Sequence, residues 1–186
     1  MKLDRLKESL STSPVVKMGD YDYFVNPITD GIPQMDPAVL ADIIDGLQEI
    51  GDFDCDIIVA PESMGIPIAV PLSLRLGIPY NIVRKKRYGL PGEVNITQTT
   101  GYSKSEMYIN GISRGDRVTV VDSVVSTGGT LRAILRGLGS IGAEVVDVLV
   151  PVEKGDGKAP LERDLGIRIK TLVKIRCQCG KIEIID

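Results

Sequence analysis

The chain has 186 residues, 43% of them hydrophobic, a formal net charge of -3 and no histidine. That length favours one domain with a sizeable core, and the charge gives no footing for nucleic acid. The missing histidine removes Ser-His-Asp and Cys-His nucleophiles and every histidine-based metal site, so any chemistry must use carboxylates, lysines, tyrosines, hydroxyls or the substrate itself. No secretory h-region and no apolar run long enough to span a bilayer is present, so a cytoplasmic protein without a membrane partner is expected.

In chain order, residues 3–10 have the pattern of a short amphipathic helix, and Tyr21–Val25 reads as a strand ending at Asn26-Pro27. Asp36 and Pro37 form the start signal of a helix that runs to Ile50, where Gly51 stops it. Residues 56–60 form a buried strand, 67–76 a helix and 80–83 the next strand. Residues 84–112 are polar and glycine-rich, with β-type segments at 94–97 and 107–109, and read as a long hairpin or lid rather than core. A strand at 117–121, a helix to about 141, a strand at 145–150, a short helix at 159–165 and a last strand at 169–174 complete the chain. Strands that are continuous apolar runs, alternating with helices, predict an α/β fold: a mainly parallel sheet covered by helices on both faces. No repeat or linker divides residues 1–186. Cys55, Cys177 and Cys179 have no zinc spacing and read as reduced thiols.

The most informative stretch is Val118-Thr119-Val120-Val121-Asp122-Ser123-Val124-Val125-Ser126-Thr127-Gly128-Gly129-Thr130-Leu131. It reads as strand, loop and helix, with the loop at the carboxyl end of the strand, where open α/β sheets bind ligands. Ser126, Thr127, Gly128, Gly129 and Thr130 offer backbone amides, hydroxyls and a helix N-terminus to a phosphate. Asp122 can accept hydrogen bonds from sugar hydroxyls, with Ser123 beside it. The stretch is therefore a ribose-phosphate cradle. A second strand end, Pro61-Glu62-Ser63-Met64-Gly65, points backbone amides outward as another anion nest. The basic run Arg84-Lys85-Lys86-Arg87 follows strand 80–83 and can neutralise a diphosphate. Phe24 is placed to stack on a flat ring.

These segments, in this order, resemble the type I phosphoribosyltransferases, and the match runs from about Val15 to Lys181. The layout is most similar to the family's archaeal hypoxanthine/guanine subgroup. The resemblance implies a parallel-sheet fold with a small hood and lid. It implies phosphoribosyl pyrophosphate and a 6-oxopurine base as substrates, Mg²⁺ carried through the diphosphate with no direct protein ligand, and a homodimer. It assigns Asp122 to catalysis, with Ser123, at the ribose, and Ser126–Thr130 to the 5′-phosphate. Glu62, Ser63, Met64 and Gly65, with Lys85 or Lys86, fall to pyrophosphate. It also implies a cis non-proline peptide near Glu62-Ser63. Asn26 and Lys154 match base-contacting positions of xanthine relatives. An ammonium donates and cannot accept, so Lys154 suits a 6-oxo group and disfavours adenine. Tyr102, Lys104 and Glu106 fall on the returning arm of the lid, where Tyr102 is expected to cover the site.

Two departures from the family pattern stand out. Members usually carry two adjacent acids where this chain has Asp122-Ser123. A neutral hydroxyl in place of a carboxylate costs roughly 1 kcal/mol, about five- to tenfold in rate. Many 6-oxopurine enzymes also have an aspartate at Ser126, and adenine enzymes a lid glutamate at Gly101; this chain has neither, which leaves Glu106 and Glu153 as weak candidates for the proton-transfer role. A non-catalytic sensor of the sugar diphosphate, or an adenine or xanthine enzyme on the same scaffold, are the rival readings.

Overall fold

A computed structural model describes residues 2–99 and 104–185. Its centre is a seven-stranded sheet. Six strands run in the order β11(Lys181–Ile184), β10(Lys170–Gln178), β9(Glu144–Lys154), β7(Arg117–Val121), β3(Ile57–Pro61), β4(Tyr80–Val83), and the two-residue β8(Val124–Val125) adds to the end of β9. All pairs are parallel except β10–β11. From β3 the chain steps outward to β4 and then returns to the other side of β3 as β7. The reversal leaves a crevice beyond the carboxyl ends of β3 and β7, the usual ligand position in such sheets.

Strand alternation sends neighbouring residues to opposite faces. Ile58, Ala60 and Val121 pack with α1(Asp4–Ser11), α3(Pro37–Ile50) and α4(Ile66–Leu76) through Leu6, Leu10, Ile43, Leu47, Ile68 and Leu72. Val59, Val118 and Val120 pack with α5(Gly129–Ile141) and α6(Lys158–Leu165) through Ile134, Leu138 and Leu161. The predicted sheet covered on both faces is present. The start of α3 is as the sequence indicates: the Asp36 carboxylate accepts from the Ala38 N–H at 2.7 Å, and Pro37 occupies the first turn.

Three elements differ from expectation. Residues 169–174 are not the last strand, since β11 returns antiparallel after the Cys179-Gly180 turn and closes that edge of the sheet. The segment 84–112 does form a hairpin, β5(Val94–Thr99) with β6(Lys104–Ile109), but it contributes to the core. Met107 and Ile109 are fully buried, and with Ile96 they cover α5, where Gly137 has no side chain to block them. The short apolar alternation in an otherwise polar segment is what supplies this face. Finally, Tyr21–Phe24 is half of a hairpin, β1(Val15–Met18) with β2(Tyr21–Phe24), which continues into the one-turn helix α2(Pro27–Asp30) and forms a hood over the crevice.

Candidate active site

Two loops and the hood enclose a cavity of about 280 Å³. Its walls are Pro61–Met64 after β3, Asp122–Leu131 after β7, the hood residues Tyr21, Tyr23, Phe24, Thr29 and Asp30, and Lys85 and Gln98 from the side.

The loop after β7, expected to hold a phosphate, is a tightly constrained turn. Gly128 begins α5 with a left-handed backbone (φ 76°), and a side chain there would lie 2.8 Å from Leu161. Only glycine meets both demands. The turn ends in a thirteen-residue helix whose first residues, Gly129, Thr130 and Leu131, line the cavity, where the helix dipole favours an anion. Gly157 lets α6 press against this loop: a Cβ there would sit 1.9 Å from the Ser126 carbonyl oxygen. Two long-range contacts orient the hydroxyls. The Tyr21 phenol donates to Ser126 Oγ at 2.9 Å. Gln98 Nε2 donates to Thr130 Oγ1 at 2.6 Å, while Ser105 Oγ donates back to Gln98 Oε1 at 3.0 Å.

Asp122 lies between the two loops and is buried, at 8% exposure. Its carboxylate accepts from the Ser123 N–H at 2.7 Å. Burial, only partly offset by its bonds to Ser123, pushes its pKa up to about 7. Ser123 is also buried and lines the cavity.

In the loop after β3 the Glu62-Ser63 peptide is cis. The Glu62 N–H donates to the Val83 carbonyl at 2.9 Å, and the Glu62 carboxylate lies 2.7 Å from Arg84 Nε. Arg84 in turn exchanges backbone bonds with Tyr108 of the β5–β6 hairpin, so one arginine ties the loop to the hairpin. Ser63 and Met64 line the cavity, whereas Gly65 starts α4. Lys85 reaches the cavity wall; Lys86 is directed elsewhere, 5.5 Å from the centre of the Tyr88 ring.

The expected base readers are placed differently from one another. Phe24 lines the cavity. Asn26 does not. It is fully buried, its side-chain oxygen accepts from the Ile28 and Thr29 amides, and its amide nitrogen donates to the Phe24 carbonyl and Thr29 Oγ1. The Asn-Pro pair that marks the end of β2 is a helix cap, and capping occupies the whole side chain. Lys154 is buried at the end of β9, behind two rings that line the cavity: its ammonium sits 3.6 Å from the Tyr21 ring centre and 5.8 Å from that of Phe24, and donates to the Asp22 carbonyl. Tyr102, Gly101 and the Lys104 side chain lie outside the described residues. Glu106 accepts from the Tyr108 phenol at 2.6 Å, which with Asn95 lowers its pKa; it is not on the cavity wall. Glu153 is likewise off the wall, held between Lys174 at 3.0 Å and Lys158 at 3.7 Å.

Sequence reasoning missed Tyr21, Asp30 and Gln98. The first two sit in and just after the Tyr21–Val25 segment, and the third in an unremarkable polar strand. Each becomes visible only when the hood and hairpin fold onto loops more than thirty positions away.

The fold thus sets a crevice at the switch point of a parallel sheet, with one loop on either side of a buried acid. The chain matches the phosphoribosyl transferase domain over residues 37–171, and it belongs to that family. It is 51% identical to the hypoxanthine/guanine phosphoribosyltransferase of Methanobacterium paludis, over 97% of this chain and 95% of that one. To the hypoxanthine/guanine phosphoribosyltransferase of Methanosarcina mazei it is 50% identical, over 99% and 97%. Among solved structures, the adenine phosphoribosyltransferase of Thermoanaerobacter pseudethanolicus superposes with a TM-score of 0.74 at 26% identity, covering 93% of this chain and 99% of that one.

Proposed function

We propose that this chain transfers the phosphoribosyl group of phosphoribosyl pyrophosphate to hypoxanthine or guanine, giving IMP or GMP and pyrophosphate, in purine salvage. The observation that carries the choice of base is the identity of about half the residues, over nearly the full length, with hypoxanthine/guanine enzymes. The adenine enzyme of similar fold shares only 26%.

In this reading, Ser126–Thr130 hold the 5′-phosphate, and Glu62–Met64 with Lys85 hold the diphosphate. Asp122, with Ser123, takes the ribose hydroxyls between them. A base nitrogen attacks C1 of the ribose as the C1–O bond to pyrophosphate breaks, and the bonding pair leaves with the pyrophosphate. Positive charge develops on the ribose ring. A carboxylate in a dry setting stabilises that charge more than one in water, and its pKa raised by burial is a measure of the dryness. The described walls carry the carboxylates Asp30, Glu62 and Asp122, and the pyrophosphate oxygens formed beside the base are further acceptors for its proton. The arginine-tied hairpin acts as the lid, and its closure keeps water from the reactive ribose.

Mg²⁺ fits this cavity as a passenger on the diphosphate. Among the described residues, no group of three or more His, Cys, Asp or Glu is arranged to hold a metal alone. The hydroxyls and carboxylates present are the hard oxygen donors that suit this ion. When bound, it supplies charge neutralisation on the leaving group.

The test is product formation from phosphoribosyl pyrophosphate and Mg²⁺ with hypoxanthine, guanine, xanthine or adenine in separate reactions. Turnover of the first two, with little from adenine, is expected. Donor binding without turnover of any base would make the protein a sensor, the reading that Ser123 in place of a second acid favours.

A further inference from the structure

Of the three carboxylates on the described cavity wall, Glu62, Asp122 and Asp30, the phosphate and ribose assignments leave Asp30 unused. Asp30 ends α2 in the hood and lines the cavity with Tyr21, Tyr23, Phe24 and Thr29. Its two oxygens are fixed from behind: the Tyr23 phenol donates to Oδ1 at 2.6 Å and the Asn26 N–H to Oδ2 at 3.0 Å. Each carboxylate oxygen accepts more than one hydrogen bond, so a carboxylate anchored once at each oxygen keeps acceptor capacity for a ligand.

The two loops and Lys85 are built for anions. Glu62, the carboxylate in the diphosphate loop, is paired with Arg84, whereas Asp30 is held by a phenol and an amide and keeps its charge, so its side of the cavity repels a phosphate and suits an uncharged group that brings N–H donors. The rings of Tyr21 and Phe24 beside it provide the flat apolar surface on which such a group stacks. From this geometry we infer that Asp30 is a specificity-determining residue, accepting from the N1–H and 2-amino donors of a 6-oxopurine. This rests on the transferase reading above and deepens it. Guanine presents two adjacent donors on that edge and hypoxanthine one. Xanthine places a carbonyl oxygen at position 2 and adenine a lone pair at N1, and both confront the carboxylate with an acceptor. A site built around a buried polar group discriminates most strongly against analogues that leave it unpaired. The expected order of use is guanine, hypoxanthine, xanthine, adenine.

The test is Asp30→Asn, which keeps one oxygen to accept from the Asn26 N–H and turns an NH2 to the Tyr23 phenol, whose oxygen can accept, so that one acceptor and the charge are lost to the base. Steady-state kinetics with all four bases are compared with the unaltered protein. The expected result is that the guanine-to-xanthine ratio of kcat/KM falls by about tenfold or more. The change should lie in KM for the base, with KM for the donor sugar within about twofold. An equal fall for every base, or an unchanged ratio, overturns the inference and leaves Asp30 a structural cap of the hood. If the variant does not fold, equilibrium binding of GMP and XMP to the unaltered protein decides: GMP should bind about tenfold tighter, and equal affinities overturn the assignment. Failure of the unaltered protein to use any base would sink the transferase reading and this inference with it, whereas turnover of guanine with an unchanged ratio in Asp30→Asn would sink this inference alone.

Discussion

Tyr21 and Ser126, 105 positions apart, are joined by a 2.9 Å hydrogen bond from the phenol to Ser126 Oγ. The bond couples the hood to the loop proposed to hold the 5′-phosphate. Because the phenol donates, the Ser126 hydrogen is left to point at a ligand oxygen. Tyr21→Phe keeps the ring and loses this orientation. A single hydrogen bond of this kind is worth about 1 kcal/mol. Donor affinity should fall about fivefold, and the ligand-free melting temperature by about 2–4 °C. Titration calorimetry with phosphoribosyl pyrophosphate, beside a thermal melt, checks both; unchanged affinity would show that the hood and cradle act independently.

On the opposite side of the cradle, Gln98 bridges Ser105 and Thr130. The bridge ties the β5–β6 hairpin to the first turn of α5, in the segment proposed to hold the 5′-phosphate. Gln98→Leu fills a similar volume without either bond. Met107 and Ile109 still anchor the hairpin to α5, so little stability should be lost. The expected effect is a rise of about five- to tenfold in KM for the donor sugar, at one to two lost hydrogen bonds. An unchanged KM would remove Gln98 from donor recognition.

How much of this could be read from the residues alone depends on the range of the interaction. The apolar runs 57–61 and 117–121 announce buried parallel strands, so the sheet is legible locally, and the loop Asp122 to Thr130, proposed to hold the ribose and its phosphate, lies within nine positions. Asn26 misleads for the same reason: its type and position suit base contact, yet Pro27 after it begins a helix that needs a cap, and the cap takes every polar atom. Asp30 and Gln98 carry no local signature, since their roles come from folding the hood and hairpin across the crevice. Gly157 reads as one more glycine in a polar turn, and its purpose is the carbonyl of Ser126 lying against it.

That contact makes Gly157 a test of the cradle's rigidity. Its φ of -72° suits any residue, so conformational freedom is not the reason for glycine. A methyl group would stand 1.9 Å from backbone, which cannot rotate away. Gly157→Ala must push α6 or the Ser126–Gly128 turn aside. Overpacking of this sort costs about 1–3 kcal/mol. The melting temperature should drop by several degrees and donor affinity by about tenfold or more, as measured by thermal melts and calorimetry. Full retention of affinity would mean that the cradle adapts to its ligand instead of being preformed.

Asp122 sets a pH dependence whose sign follows from its raised pKa. The folded value is about 7 against an ordinary 3.8, so between those values the folded chain holds a proton that the unfolded chain has released. Stability from this group is fully present below about pH 4 and is lost as pH rises to about 7, by roughly 4 kcal/mol in all. Asp122→Asn should abolish that part of the slope and melt higher than the parent at pH 8. Ribose hydroxyls and the cationic transition state favour the charged form, so donor affinity and kcat/KM should rise with pH across about 6 to 8. A flat kcat/KM profile in that window would show that Asp122 is already ionised before the donor arrives.

Lys154 has an observed role and a proposed one, which a single substitution can separate. The proposed role is to donate to the 6-oxo group of the base; the observed contacts clamp the hood, through the Asp22 carbonyl and the faces of Tyr21 and Phe24. A desolvated cation over an aromatic ring contributes about 2 kcal/mol. Lys154→Met keeps the packing of the stem and removes the charge and the donor. The clamp predicts a fall of about 4–8 °C in melting temperature. It also predicts a modest loss of donor affinity, because Tyr21 is shared with Ser126. Base reading predicts a separate effect, a rise of about tenfold or more in KM for hypoxanthine. A lower melting temperature with an unchanged base KM would leave Lys154 as a positioning residue behind the Tyr21 and Phe24 wall, and would shift recognition of the base wholly to the hood side chains in front of it.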